Sequence, residues 1–201
     1  MTVVLYAVEG STDAPVAEKL IELVGCEARL VSASGGSSLI DRKLGRWTQA
    51  SNQQPMLILR DWDHGDHAEC APELVRNLIP DHCPANVALR IVVRSIESWL
   101  MADIDAAASF FSTSSIPKDP DTIERPKVAL VAACRKSRIN AIRSNMAPSE
   151  ASGGAVGIGY ATLVREFAAS HWDPERASAN SPSLARAVFR LRQLVEVGAW
   201  S

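Results

Sequence analysis

The sequence has few cysteines, no long apolar run and almost no excess of charge of one sign. Its four cysteines, Cys26, Cys70, Cys83 and Cys134, are scattered without C-x-x-C spacing, and no signal peptide is recognisable. We therefore expect reduced thiols in a cytoplasmic protein, not a disulfide framework. No apolar run approaches the roughly 20 residues that a membrane-spanning helix needs, so we expect no membrane partner.

The balance of charge limits the partners that the chain can bind. With 21 basic and 23 acidic residues the net charge is -2. A protein without a global basic field must bind nucleic acid through a local patch. The 47% hydrophobic and 22% charged fractions over 201 residues are those of an ordinary globular protein with a sizeable core.

Apolar runs and helical patterns alternate along the first half of the chain. Such runs are typical of strands buried on both faces of a parallel sheet, and the intervening segments have helical periodicity. The sequence therefore predicts an α/β fold with a mostly parallel sheet of about four strands flanked by helices. The predicted strands are residues 2–8, 27–32, 56–59 and 86–93.

The second half of the chain has helical patterns without the apolar strand runs of the first half. No strand is evident after residue 93, and a segment rich in glycine and serine at 149–159 is the expected flexible stretch. We expect an α/β core over residues 1–110 and a helical C-terminal extension over 111–201, packed together as one structural unit. Helices are predicted at 95–103, 104–111, 126–134, 160–169 and 183–197.

Two aspartates follow the third predicted strand directly. Asp61 and Asp63 are two residues apart, so their side chains can point the same way from an extended chain. Carboxylates held close together raise each other's pKa unless a cation neutralises them, and Mg²⁺ or Mn²⁺ suits such oxygen ligands. The alternative is that these residues and Asp66 are solvated loop acids and a helix cap.

Two further acids follow other predicted strands. Glu9 comes just after the first strand, and Glu97 follows the fourth by a few residues. Because parallel strands end at the same edge of a sheet, these side chains can meet the two aspartates there. Several carboxylates at one edge are costly without a metal ion, and this cost favours a functional site.

The residues around these acids resemble the Toprim fold, the metal-dependent catalytic domain of topoisomerases, primases and OLD-family nucleases. The segments VEGSTD (8–13) and LILRDWD (57–63) are similar to its two signature motifs. The segment IESWLMAD (96–103) is similar to the motif of stand-alone Toprim-like proteins of the RloB-like and related families of unknown function. Several of those proteins are encoded beside ATPases in bacterial defence systems.

The resemblance implies a Toprim-like, Rossmann-like fold and a role for each acid. Glu9 would be the general acid/base and, together with Asp61 and Asp63, a ligand of Mg²⁺ (or Mn²⁺). Glu97 would be a further metal ligand or would orient one. The implied activity is Mg²⁺-dependent phosphodiester hydrolysis by a nuclease acting on DNA or RNA.

Two further inferences concern the tyrosines and lysines. Topoisomerases need a tyrosine nucleophile, but Tyr6 lies within a predicted strand, so hydrolysis by water is expected instead of strand passage. Lys43 and Lys127 lie near the Toprim-like motifs and are the candidate phosphate-binding lysines.

Three other interpretations remain open. In the first interpretation, the chain is a catalytically silent Toprim-like subunit that binds an ATPase partner or nucleic acid. In the second interpretation, the chain is a phosphatase of the haloacid-dehalogenase kind. That class carries its D-x-D motif on the leading strand, whereas here the motif, Asp61 to Asp63, follows the third predicted strand. A zinc site would use the histidines and cysteines after the D-x-D, although their spacing matches no usual structural site. Those residues are His64, His67, Cys70, His82 and Cys83.

Overall fold

Four parallel strands form the sheet in the computed structural model, which describes residues 1–50, 54–63, 65–79, 83–149 and 153–197. Their order in the sheet is β2-β1-β3-β4, so β2 and β4 are the edges within the described residues. All three pairings are parallel, which confirms the predicted α/β sheet. The strands are β1 (Val3–Val8), β2 (Glu27–Ala33), β3 (Met56–Asp61) and β4 (Val87–Val92).

Helices connect the strands and make up the rest of the described chain. Proline stands in the first turn of α1, α3, α6 and α9, where its missing N–H has no helical partner to lose. Gly25 ends α1 with a positive φ of 73°, which glycine adopts without strain. The helices are α1 (Ala14–Leu23), α2 (Gly36–Ala50), α3 (Ala71–Leu78), α4 (Ile96–Ala102), α5 (Ile104–Phe110), α6 (Pro126–Arg135), α7 (Asn140–Met146), α8 (Tyr160–Ser170), α9 (Pro174–Ser178) and α10 (Pro182–Val197).

Each face of the sheet is covered by a different set of helices. Alternate residues of β3 divide between the faces, with Ile58 on one side and Leu57 and Leu59 on the other. Helices α2 and α3 cover the first face, where Trp47 is 8% exposed and belongs to the core. Helix α1 and the helices after β4 cover the second face.

The C-terminal helices share their core with the strands. Trp99 of α4 is fully buried, and its indole Nε1 donates a hydrogen bond of 2.7 Å to Ser183 Oγ of α10. Trp172 Nε1 donates to the Trp99 carbonyl at 3.0 Å. Trp99 is therefore a core anchor, as its apolar setting in the sequence indicates. The boundary at residue 110 stays a prediction.

The structure differs from the predicted elements in the C-terminal half. Helices α7 and α9 have seven and five residues, too few to display a helical repeat in the sequence. Of the glycine- and serine-rich segment, residues 150–152 lie outside the described chain. Gly157 and Gly159 donate their N–H groups to the carbonyls of Met146 and Asn145, so this part of the segment is held against α7.

Two expectations from composition can be compared with the structure. All four cysteines are free thiols, and Cys26 and Cys134 are buried. Over the part of the chain that the structure describes, no helix has the length and apolarity needed to cross a bilayer.

Candidate functional site

Glu9 and Asp61 meet at the carboxyl edge of the sheet. Glu9 follows β1 directly, Asp61 is the last residue of β3, and these two strands are neighbours. The Glu9 carboxylate accepts a hydrogen bond of 2.8 Å from the backbone N–H of Asp61. The N–H of Gly36, at the start of α2, donates to the Glu9 carbonyl and fixes the backbone of this residue.

The two carboxyl groups hold their protons more tightly than usual. Burial raises the pKa of Asp61 well above its ordinary value, and the charges of Asp13, Glu9 and Glu97 raise it further. Burial also raises the pKa of Glu9, to about 7, although the Asp61 amide opposes the shift. Asp63 adds to the pKa of both residues, so the acids share one electrostatic environment.

Asp13 belongs to this group, although its position in the sequence indicates only a residue of the first helical turn. Its carboxylate accepts hydrogen bonds from the Gly10 N–H at 2.9 Å and the Thr12 hydroxyl at 3.0 Å. It is 9% exposed, and burial raises its pKa, with a further rise from Glu97. Its place after β1, close to Glu9 in the sequence, is the signal that could have identified it.

Glu97 is buried and fully engaged at the start of α4. Its Oε1 accepts a hydrogen bond of 2.6 Å from the Tyr160 hydroxyl, and its Oε2 accepts one of 2.5 Å from Ser95 Oγ. The Lys127 ammonium lies 3.7 Å from the same Oε1. Glu97 therefore positions Tyr160 and Lys127 beside the other acids; direct metal ligation by Glu97 stays a prediction.

Asp66 has a structural role in the loop after β3. It accepts the backbone N–H of Asp63 at 2.8 Å and forms an ion pair with Arg60. Arg60 is 3% exposed and also pairs with Asp41 of α2, with nitrogen-to-oxygen distances of 3.1 and 3.0 Å. These contacts fix the backbone that presents Asp63, whose side chain is exposed.

A cleft of about 210 Å³ opens beside the acids and carries basic side chains on its other side. Asp61, Trp62 and Asp63 line it from the end of β3. The Arg94 guanidinium stacks on the Trp62 ring, 4.4 Å from its centroid. Arg94, Arg125 and Lys127 supply the positive charges of the cleft, and Glu124 lies among them. Arg94 and Arg125 are not evident from sequence patterns, since each lies in an irregular segment.

The two candidate phosphate-binding lysines lie in different places. Lys127, in the first turn of α6, lines the cleft and lies 5.9 Å from the centroid of the Tyr160 ring. Lys43 lies in the middle of α2, and its ammonium is 5.7 Å from the centroid of the Trp47 ring. Lys43 does not line the cleft.

Carboxylate oxygens are suitable ligands for a hard divalent ion, but these acids do not form a complete ligand set. Among the described residues, no three His, Cys, Asp or Glu side chains converge as a ready metal site. Glu9 directs one carboxylate oxygen to the Asp61 amide, and Glu97 directs both of its oxygens to protein hydroxyl groups. Mg²⁺ needs only one or two protein carboxylates and keeps several waters, so a site on Asp61 and Asp63 alone stays a prediction.

The other interpretations of this region gain no support from the geometry. His67 and Cys70 are both exposed, and His64 and His82, which complete the zinc alternative, lie outside the described residues. The D-x-D follows β3, in the interior of the sheet order, and not the leading strand of a haloacid-dehalogenase phosphatase. Comparison of the chain with protein-family models, curated proteins and solved structures finds no match, so the site's own geometry carries the functional argument.

Proposed function

We propose that the protein is a Toprim-type nuclease that hydrolyses phosphodiester bonds with Mg²⁺ or Mn²⁺. The observation that carries this proposal is the group of carboxylates at the ends of β1 and β3. Burial and mutual repulsion raise the pKa of Asp61 well above its usual range, which is the electrostatic condition that a bound cation relieves.

The charges of the cleft favour a phosphate-bearing substrate. Arg94, Arg125 and Lys127 can contact the non-bridging oxygens of a phosphodiester, because guanidinium and ammonium groups bind phosphate. On the other side, Asp61 and Asp63 would repel the same group, and they are the residues that would hold the divalent ion. When bound, that ion supplies Lewis-acid polarisation of the phosphoryl group and stabilises the leaving oxygen.

Glu9 is the residue that can move the proton. Because its pKa lies near 7, Glu9 changes protonation state close to neutral pH, as a general acid/base must. In the proposed reaction Glu9 takes a proton from the attacking water as the new oxygen–phosphorus bond forms. The bond from phosphorus to the leaving oxygen breaks, that oxygen takes a proton from solvent water, and Glu9 then releases its proton to solvent.

Cleavage of labelled oligonucleotides tests this function. We would incubate single- and double-stranded DNA and RNA with the protein in Mg²⁺, Mn²⁺ or EDTA. Wild type should cleave one of these substrates with a divalent ion only, and Glu9→Gln and Asp61→Asn should each lower the rate at least 100-fold. Asp105→Asn, which changes an exposed acid on α5, should cleave at the wild-type rate. Cleavage that survives both site substitutions would exclude this site as the source.

Apolar residues exposed on the edge strand β2 favour a second function. The edge strand β2 exposes Leu30 and Val31, which are 52% and 43% accessible. Exposed apolar residues on an edge strand are typical of a surface that a partner protein covers. A catalytically silent subunit that binds an ATPase or nucleic acid would use such a surface. Purification with and without the products of neighbouring genes separates the two functions, because a silent subunit would show no cleavage in either preparation.

A further inference from the structure

A second cleft, of about 400 Å³, lies beside the edge strand β4 and is distinct from the acidic cleft. Helix α3 supplies an apolar wall through Ala71, Pro72 and Val75. Helix α10 supplies Arg186, Phe189 and Arg190, and β4 contributes Arg90 between the two helices. The cleft thus combines three guanidinium groups with apolar surface.

Arg90 is held in this cleft without a partner for part of its guanidinium. Its Nε is buried and has no hydrogen-bond acceptor, and it is the only such side-chain atom found among the described residues. Burial lowers the pKa of Arg90, and the neighbouring charges of Arg186 and Arg190 lower it further. None of the three arginines forms an ion pair with a described carboxylate. A buried N–H group without an acceptor and three neighbouring like charges are both costly, and an anion bound in the cleft would relieve both.

The other residues limit the kind of anion. The Phe189 ring is 63% exposed at the cleft, and exposed aromatic rings stack on nucleobases. Arg190 is anchored beside the strand, since its Nη2 donates to the carbonyls of Ala85 at 3.0 Å and Val87 at 3.4 Å. A cleft of about 400 Å³ is in the range of small-molecule sites and is far larger than one inorganic ion needs.

We propose that this cleft binds a nucleoside phosphate, with its phosphate on Arg90, Arg186 and Arg190 and its base against Phe189 and α3. Planar guanidinium groups bind phosphate oxygens in pairs, and the apolar wall accepts the face of a base. The ligand can be a free nucleotide or the phosphorylated end of a strand, since both present the same chemistry. The proposal does not depend on hydrolysis at the acidic cleft.

Calorimetric titration in EDTA tests the proposal with defined probes. AMP should bind wild type, adenosine should not, and ribose 5-phosphate should bind about 5-fold more weakly than AMP because it lacks the base. A 5′-phosphorylated decathymidylate that binds more tightly than AMP would identify the strand end as the ligand, and the reverse order would identify the free nucleotide. Equal binding of AMP and adenosine, or no binding of AMP at millimolar concentration, would overturn the proposal.

Substitutions assign the binding to the cleft. Arg186→Ala should weaken AMP binding at least 10-fold, whereas Arg192→Ala, an exposed arginine of α10 that pairs with Glu175, should leave it within 2-fold. Phe189→Ala should weaken AMP about 5-fold and leave ribose 5-phosphate unchanged. Equal effects of the Arg186 and Arg192 substitutions would contradict the assignment.

Arg90→Met separates a binding role from a structural one. Since the Nε of Arg90 is buried without an acceptor and its charge lies beside those of Arg186 and Arg190, its removal should leave the melting temperature unchanged or higher in the absence of ligand, while AMP binding is lost. A lower melting temperature with AMP affinity intact would show that Arg90 serves the fold alone.

Discussion

The Glu9 carboxylate accepts a 2.8 Å hydrogen bond from the backbone N–H of Asp61, joining the first residue after β1 to the last residue of β3. This bond stabilises the ionised form of Glu9, yet the pKa of Glu9 is raised because burial outweighs it. The two residues are thus held together while both resist ionisation. The first two predictions follow from this balance.

The first prediction concerns the pH dependence of stability without metal. A glutamate in the unfolded chain titrates near 4.5, whereas folded Glu9 titrates at about 7. Between these values the folded protein binds more protons than the unfolded chain, so the free energy of unfolding falls as pH rises. The raised pKa values of Asp61 and Asp13 act in the same direction. One pKa unit corresponds to about 1.4 kcal/mol of free energy. Because solvent screens part of the interaction, we expect Glu9 to change the free energy of unfolding by roughly 2 kcal/mol.

Urea unfolding between pH 4 and pH 8 in EDTA measures this effect. Glu9→Gln should flatten the profile, because glutamine does not titrate. Glu22→Gln, on the exposed side of α1, is the matched control and should keep the wild-type slope. A free energy that rises from pH 4.5 to pH 7 in wild type would contradict the prediction.

The second prediction concerns Asp61→Asn and divalent ions. Burial and the neighbouring acids disfavour the ionised form of Asp61, and asparagine does not ionise, so the metal-free variant should be about 1 kcal/mol more stable at pH 8. Mg²⁺ should stabilise wild type by about 2.7 kcal/mol at 100 times its dissociation constant and should not stabilise the variant. Calorimetric titration of Mg²⁺ and Mn²⁺ measures binding directly. An equal response of Asp61→Asn/Asp63→Asn and wild type would place the ion elsewhere.

The third prediction concerns Tyr160→Phe. The substitution removes the 2.6 Å hydrogen bond to the buried Glu97 and should lower the free energy of unfolding by about 1–2 kcal/mol. It should also change the Mg²⁺ response, because Glu97 contributes to the potential at Asp61.

Tyr6→Phe is the matched control for this substitution. It removes the 2.5 Å hydrogen bond from Tyr6 of β1 to Glu18 of α1, so it should lower stability without altering the Mg²⁺ response. Identical Mg²⁺ titrations for both variants would exclude a role of Tyr160 at the site.

The fourth prediction concerns Arg60→Met. Arg60 is buried between Asp41 and Asp66, and its removal leaves both carboxylates without their cation. We expect a loss of about 3 kcal/mol in the free energy of unfolding, measured by chemical denaturation. Arg46→Met, an exposed residue of α2, should cost less than about 0.5 kcal/mol. Similar losses for the two variants would show that the buried ion pairs contribute little.

The sheet and the meeting of Glu9 with Asp61 were predictable because they follow from local patterns. Apolar runs identify buried strands, and parallel strands end at one edge, so acids that follow β1 and β3 meet there. The division of roles among the acids was not predictable. Asp66 pairs with Arg60, and this depends on how β3 packs against the following loop and α2.

The C-terminal contribution to the site was also beyond sequence patterns. Tyr160 follows a glycine-rich segment and starts an ordinary amphipathic helix, so nothing local marks it. Tyr160 and Glu97 are 63 residues apart in the sequence, so their contact depends on the tertiary packing of α8. Asp13 was missed for the opposite reason, because its position suits a helix start so well that no second role was needed.

The bond between Tyr160 and Glu97 restricts how this chain can vary by recombination. Exchange of the C-terminal helices for those of a divergent copy would preserve every acid of the sheet edge. The exchanged chain would still lose the partner of Glu97 unless the incoming helix placed a hydroxyl at the same point. The acids and the helices that follow them are therefore expected to be inherited as one block, and a chimera joined between them should lose as much stability as Tyr160→Phe does.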